Sequence, residues 1–207
     1  FMLTVMVIAQ PKGLDDRAFV TYNINQVGFF TTNIGQFYPY GGQFERTLEY
    51  PINSGHICMY RQCIMIGVPV NVISAADGRF EEFDAVGGYN AGTGEIAVSD
   101  NPLTWPGYGW PVQDNEGKPV FLGTAQQESY CVYSDSTNWR YNNNDEQDAL
   151  LDIRIHQTIS TWAVENHNKY HILTFKLENV SNRDYEDMYF NFYSDLDIGG
   201  NENAENE

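Results

Sequence analysis

Basic residues are scarce. The chain carries 11 lysines and arginines against 28 aspartates and glutamates, a net charge of −17 at pH 7. Phosphate backbones are held by basic patches, so this balance excludes nucleic acid as a partner. It equally disfavours an anionic membrane surface. Cysteine is also sparse, with three residues, Cys58, Cys63 and Cys131. An odd count excludes complete internal pairing. No window keeps an apolar i, i+3, i+4 pattern for three turns, so no long helix is expected. No apolar run reaches the roughly 20 residues that a membrane-spanning helix needs. Gly-x-Ser-x-Gly, His-Glu-x-x-His and a Lys-bearing glycine loop before a helix are all missing. These absences remove the common hydrolase, zinc-peptidase and nucleotide-binding signatures. The stretch 87–94, Gly-Gly-Tyr-Asn-Ala-Gly-Thr-Gly, is rich in turn residues and has no lysine.

What is present is a globular composition, 42% hydrophobic and 14% aromatic, enough for a sizeable core. Glycine, asparagine and proline punctuate the chain every eight to twelve residues or so, the spacing of an all-β protein. The fold class expected is an antiparallel β-sandwich with long loops, occupying residues 10–200 as one domain. The clearest strands lie in the C-terminal third. In 150–164, Ile153, Ile155 and Ile159 share a face with Gln157 and Thr161, while Arg154, His156, Thr158 and Ser160 share the other. A polar turn follows at 165–168. In 169–181, Leu173, Phe175 and Leu177 line one side. In 188–198, Met188, Phe190 and Phe192 alternate with Tyr189, Asn191, Tyr193 and Asp195. Short connections between these segments predict a three-stranded antiparallel meander. One apolar face per strand calls for a second layer. The stretch 56–74 is almost continuously apolar and reads as core strands, broken at Gly67-Val68-Pro69. Shorter strands are expected at 94–99 and 128–134.

The two ends read differently. Phe1 to Ala9 is an apolar run without charge, which fits the tail of a secretory signal with Val7 and Ala9 before a cut at Gln10. A buried first strand is the alternative. Residues 201–207 are acidic and rich in asparagine and read as the solvated tail of a truncated chain. The expected protein is therefore secreted, extracellular or at the cell surface, with no membrane insertion once the signal is removed.

The order of the segments carries a resemblance. "NQVGFFTTNIGQFYPYGG", a hydrophobic double strand, "SDNPLTWP", "ESYCVYSD", "IRIHQTISTWAV" and "ILTFKLENVSNRDYEDMYFNFYSDLDIG" follow one another. Together they resemble the N-terminal region of large secreted proteins exported by the bacterial type IX secretion system. The resemblance covers about residues 20–200 and implies an extracellular role without assigning a reaction. The C-terminal sorting domain of such proteins is not in this sequence, and the Cys58/Cys63 pair and "YGWP" depart from the pattern.

Three constellations have candidate chemistry. Asp195, Asp197 and Asn201 offer hard oxygen ligands at a strand end, the donor type that calcium takes. Position five and position twelve of an EF-hand loop are unmatched, and a plain turn is the competing reading. Trp105, Tyr108 and Trp110 lie in a Pro- and Gly-rich loop where flat rings can stack on sugars. They can equally fold back over the sandwich edge. Cys58 and Cys63 can bridge a hairpin if the intervening residues turn, can join His56 in a weak zinc pattern, or can stay as buried thiols. The acidic runs at 79–88 and 142–149 read as solvated faces, because no two carboxylates can be paired across a cleft. The expected function is a non-enzymatic binding or structural module, calcium-stabilised, with a polysaccharide or another surface protein as partner. The alternative is a carbohydrate-binding or ancillary domain of a secreted carbohydrate-active enzyme.

Overall fold

A computed structural model describes residues 18–33, 35–37, 48–59, 61–68, 96–105, 119–134 and 151–196. Ten strands appear in chain order: β1 (Phe19–Tyr22), β2 (Gly28–Thr32), β3 (Leu48–Glu49), β4 (Ile57–Met59), β5 (Arg61–Gly67), β6 (Ala97–Val98), β7 (Gln127–Ser134), β8 (Ile153–Thr161), β9 (His171–Asn179) and β10 (Tyr189–Asp195). The helical element among the described residues is a single 3-10 turn, Pro102–Thr104. None of the described helices is long and apolar enough to cross a membrane.

The protein is an all-β antiparallel sandwich. One sheet has the order β6-β7-β8-β9, the second β1-β2-β3-β4, and the third is the pair β10-β5. Both smaller sheets pack on the β6–β9 sheet: Tyr22 and Phe29 of one and Ile64 and Ile66 of the other share a core with Tyr133, Ile153 and Ile155. Polar side chains cross between the layers: the Tyr22 and Ser129 hydroxyls hydrogen-bond, and Gln157 Nε2 donates to Thr31 Oγ1 at 3.0 Å. Gln157 also accepts from the Tyr133 hydroxyl at 2.9 Å, so this glutamine is buried but satisfied.

The inner face of β8 is the centre of the core. Ile153, Ile155 and Ile159 pack with Tyr133 and Cys131 of β7, with Ile64 and Ile66 of β5, and with Tyr22, Phe29 and Phe37. The alternation in the sequence predicts this face. β8 and β9 pair from Ile153↔Asn179 to Thr161↔His171, joined by the expected polar turn, where Asn166 takes a positive φ of 75°. Asparagine tolerates that left-handed conformation better than most residues.

The third strand of the expected meander is corrected. β10 does not extend the sheet beside β9. It pairs antiparallel with β5, from Tyr189↔Gly67 to Asp195↔Arg61. The chain between β9 and β10 is fastened to the start of β8: the Tyr185 hydroxyl donates to the Leu151 carbonyl at 2.6 Å, and Val180 N–H donates to the Asp152 carbonyl at 3.0 Å. From there β10 crosses to the other layer. Its Phe190 and Phe192 lie beside Ile66 and Ile64 in the ladder and touch Phe175 of β9 from the opposite layer, with ring centroids 5.8 and 6.3 Å apart. Placed beside β9 in one sheet, the same rings could not face Phe175 across the core.

The described part of 56–74 holds β4 and β5, and β5 ends at Gly67 where the sequence breaks the run; residues 69–74 lie outside the described residues. Cys58 lies on β4 and Cys63 on β5, and none of the three cysteines is in a disulfide. The signal-like run 1–9, the acidic runs and the tail 201–207 lie outside the described residues.

Candidate functional site

A groove of about 520 Å³ opens between the layers where β9 begins. One layer contributes Val27, Phe29, Leu48, Tyr50, Gln62 and Phe192; the other contributes Lys169, Tyr170, His171 and Leu173. Local chemistry explains why the groove exists. The β8–β9 connection docks back on the segment before β2 through three hydrogen bonds. Gln26 N–H donates to the Asn168 carbonyl at 2.8 Å, Asn25 Nδ2 to the Tyr170 carbonyl at 3.1 Å, and His171 Nε2 to the Val27 carbonyl at 2.9 Å. These bonds hold the two layers together at one end. Beyond them the inner face of β9 is only half buried, and Phe192 is 37% exposed.

His171 forms part of the floor. The Val27 carbonyl can only accept, so Nε2 carries the proton. Nδ1 then accepts from the Thr161 hydroxyl at 2.9 Å. Burial lowers the His171 pKa, with the Val27 hydrogen bond pulling the other way. The ring is therefore neutral at pH 7, and it stacks on Phe29 at 5.2 Å. The walls are aromatic: Tyr50 is 41% exposed and Tyr170 39%. Tyr170 packs on Trp162 and hydrogen-bonds His167 Nδ1. Lys169, exposed at the rim, is the charged lining residue, and it makes no ion pair with a described residue. Grooves of this size, mostly apolar with a few polar groups, are the usual form of small-ligand sites.

A second constellation lies on the outer face of the β6–β9 sheet. The Tyr130 hydroxyl contacts His156 Nδ1 at 2.8 Å, His156 Nε2 contacts Glu178 Oε2 at 3.1 Å, and Arg154 NH1 reaches the same oxygen at 3.1 Å. The hydrogen bond from His156 holds the Glu178 carboxyl below its usual range; partial burial opposes this and the Arg154 guanidinium adds to it. An ionised Glu178 accepts, so His156 Nε2 carries the proton and Nδ1 accepts from the Tyr130 O–H. Burial depresses the His156 pKa despite Glu178. Burial also raises the phenol pKa of Tyr130 far above its ordinary value. A buried phenol held protonated is a poor nucleophile. The chain Tyr130–His156–Glu178 pins three neighbouring strands to one another.

Of the residues singled out in the sequence, Trp105 and Asp195 are among the described residues. Trp105 is half buried beside β6; its Nε1–H donates to the Val98 carbonyl at 2.9 Å and its ring lies 6.3 Å from Phe121. Tyr108 and Trp110 lie outside the described residues. Asp195 ends β10, half buried, while Asp197 and Asn201 lie outside the described residues. Among the described residues no group of three or more His, Cys, Asp or Glu is placed to hold a metal ion. The groove residues Tyr50, Gln62, Lys169, Tyr170 and His171 escape sequence reasoning, because they come from three separate segments. The available signal was the polar turn 165–168 followed by Lys169, Tyr170 and His171 at the start of a strand. Comparison with protein-family models, curated proteins and solved structures finds no match to this chain.

Proposed function

We propose that this chain is a non-enzymatic, extracellular binding module whose ligand lies in the groove between β9 and the β2/β3/β5/β10 layer. The observation that carries the reading is the groove itself, about 520 Å³, walled by Tyr50, Tyr170 and Phe192 and open to solvent. The acidic balance and the resemblance to secreted type IX substrates support placing it outside the cell. In the Tyr130–His156–Glu178 chain the hydroxyl is a buried phenol, Tyr130 being 4% exposed, and its burial supports a binding role over a nucleophilic one. A second reading, carbohydrate binding, draws support from the exposed rings of Tyr50 and Tyr170 at the rim. Calcium at the end of β10 stays within the proposal on the donor chemistry of Asp195, Asp197 and Asn201. Its mark is a melting temperature raised by calcium in the parent chain and not in Asp197→Ala.

The decisive test is saturable, one-to-one binding of small ligands to the full chain by calorimetry or fluorescence. Tyr50→Ala and Phe192→Ala, both at exposed positions, are expected to weaken that binding while leaving a cooperative melt. Binding that ignores both substitutions would overturn the groove as the site.

A further inference from the structure

The groove's polar groups are mostly occupied by the protein. Both ring nitrogens of His171 are engaged, by Thr161 and by the Val27 carbonyl. The Tyr170 hydroxyl is engaged by His167, and Gln62 Nε2 donates to Ser194 Oγ at 2.8 Å. What remains for a ligand is the Tyr50 hydroxyl, the side-chain Oε1 of Gln62 and the Lys169 ammonium; the Gln62 backbone carbonyl already accepts from Phe37 N–H at 2.8 Å, and Tyr50 and Lys169 form no side-chain hydrogen bond with a described residue. The remaining lining is Val27, Phe29, Leu48, Leu173 and Phe192. A sugar brings a hydroxyl on nearly every carbon. Most of these would lie against apolar walls without a partner, and an unpaired buried hydroxyl is costly. A flat or aliphatic body loses no hydrogen bonds there. One anionic group at its end would meet Lys169, a cation without an ion pair among the described residues, in a chain of net charge −17.

We propose that the groove selects amphiphiles with an apolar body and a single anionic group, the body lying between Tyr50, Leu173 and Phe192 and the anion at Lys169. This proposal rests on the groove being the binding site. An acidic protein repels anions at long range, so a lone lysine at the rim gives local selection rather than steering.

The test uses two probes of one shape: anilinonaphthalenesulfonate, which carries a sulfonate, and N-phenylnaphthylamine, which does not. The sulfonate is expected to bind the full chain more tightly. Lys169→Gln should weaken the sulfonate by about three- to fivefold, the worth of an exposed ion pair, and leave the neutral probe unchanged. Lys169→Arg should restore it, and added salt should shrink the difference. Tyr50→Ala should weaken both probes. If Lys169→Gln leaves the sulfonate unaffected while Tyr50→Ala weakens both, the anion selection is wrong and the groove stands. Should neither probe respond to Tyr50→Ala or Phe192→Ala, the groove itself is not the site. Displacement of both probes by a neutral oligosaccharide such as cellohexaose would replace the amphiphile with a carbohydrate.

Discussion

β8 and β10 are both alternating strands, yet they meet opposite surroundings. β8 is buried on both faces. Its inner isoleucines lie in the core, and on its outer face His156, Thr158 and Ser160 are buried too. Among the described residues, part of the cover on that side of the sheet is the 121–126 segment. Phe121 packs on Tyr130 and Val132, Trp162 Nε1 donates to the Thr124 carbonyl at 3.2 Å, and Gln126 Oε1 accepts from Ala163 N–H at 2.6 Å. Glu128 anchors that cover. Its carboxylate accepts from Gly123 N–H at 2.8 Å, Thr124 N–H at 3.0 Å and the Ser160 hydroxyl at 3.2 Å. Burial pushes the Glu128 pKa up, but these hydrogen bonds outweigh it and the net direction is down. Gly123 presents its N–H from a φ of 70°, where a residue with a Cβ would be strained. β10 has one paired neighbour among the described residues, β5, and most of its side chains are exposed. The lesson is that alternation defines the faces of a strand and not what covers them. The covered strand carries stability; the uncovered one leaves room for a ligand.

The contrast breaks first, and hardest, at Ile155. Ile155→Ala in the fully buried centre of β8 should cost about 2–5 kcal/mol in urea unfolding. Phe190→Ala, where 46% of the residue is already in water, should cost only about 1–2 kcal/mol, because only the buried part of its area is lost. Equal costs would mean that β10 is as well covered as β8.

Next is the cover itself. Glu128→Ala removes one acceptor from Gly123, Thr124 and Ser160 together and should cost about 1–3 kcal/mol. Amide hydrogen exchange at Gly123 and Thr124 should accelerate while β10 amides stay unchanged. Slow exchange at both positions in the variant would show that the segment is held by other contacts.

A smaller effect is expected from pH. His156 and His171 have pKa values lowered by burial, so the unfolded chain binds more protons than the folded one below the ordinary histidine pKa of 6.5. Their contribution is complete above that pH and is lost as pH falls through the lowered folded values. Glu128 and Glu178, also lowered, add a further loss of the same sign below the ordinary carboxylate value of 4.5. The melting temperature should therefore fall on acidification in two stages. His156→Gln should flatten the upper stage; an unchanged profile would argue that His156 is not buried neutral.

The smallest expected effect is Lys169→Gln on stability, within about 0.5 kcal/mol as for exposed positions without partners. Its consequence belongs to binding alone, which separates the groove from the core.

The sequence by itself determined the all-β class, the inner face of β8, the polar turn after it, the apolar face of β9 and the end of β5 at Gly67. These follow from alternation with period two and from turn residues, both local properties of the chain. Only the tertiary structure decided the partner of β10, the burial of the outer face of β8 and the groove at the start of β9. Each joins residues far apart in the chain: Phe190 with Phe175 and Ile66, Ser160 with Glu128, Lys169 and Tyr170 with Val27, Tyr50 and Phe192. Period two says which way a side chain points, and it carries no information on which distant segment will be there to meet it.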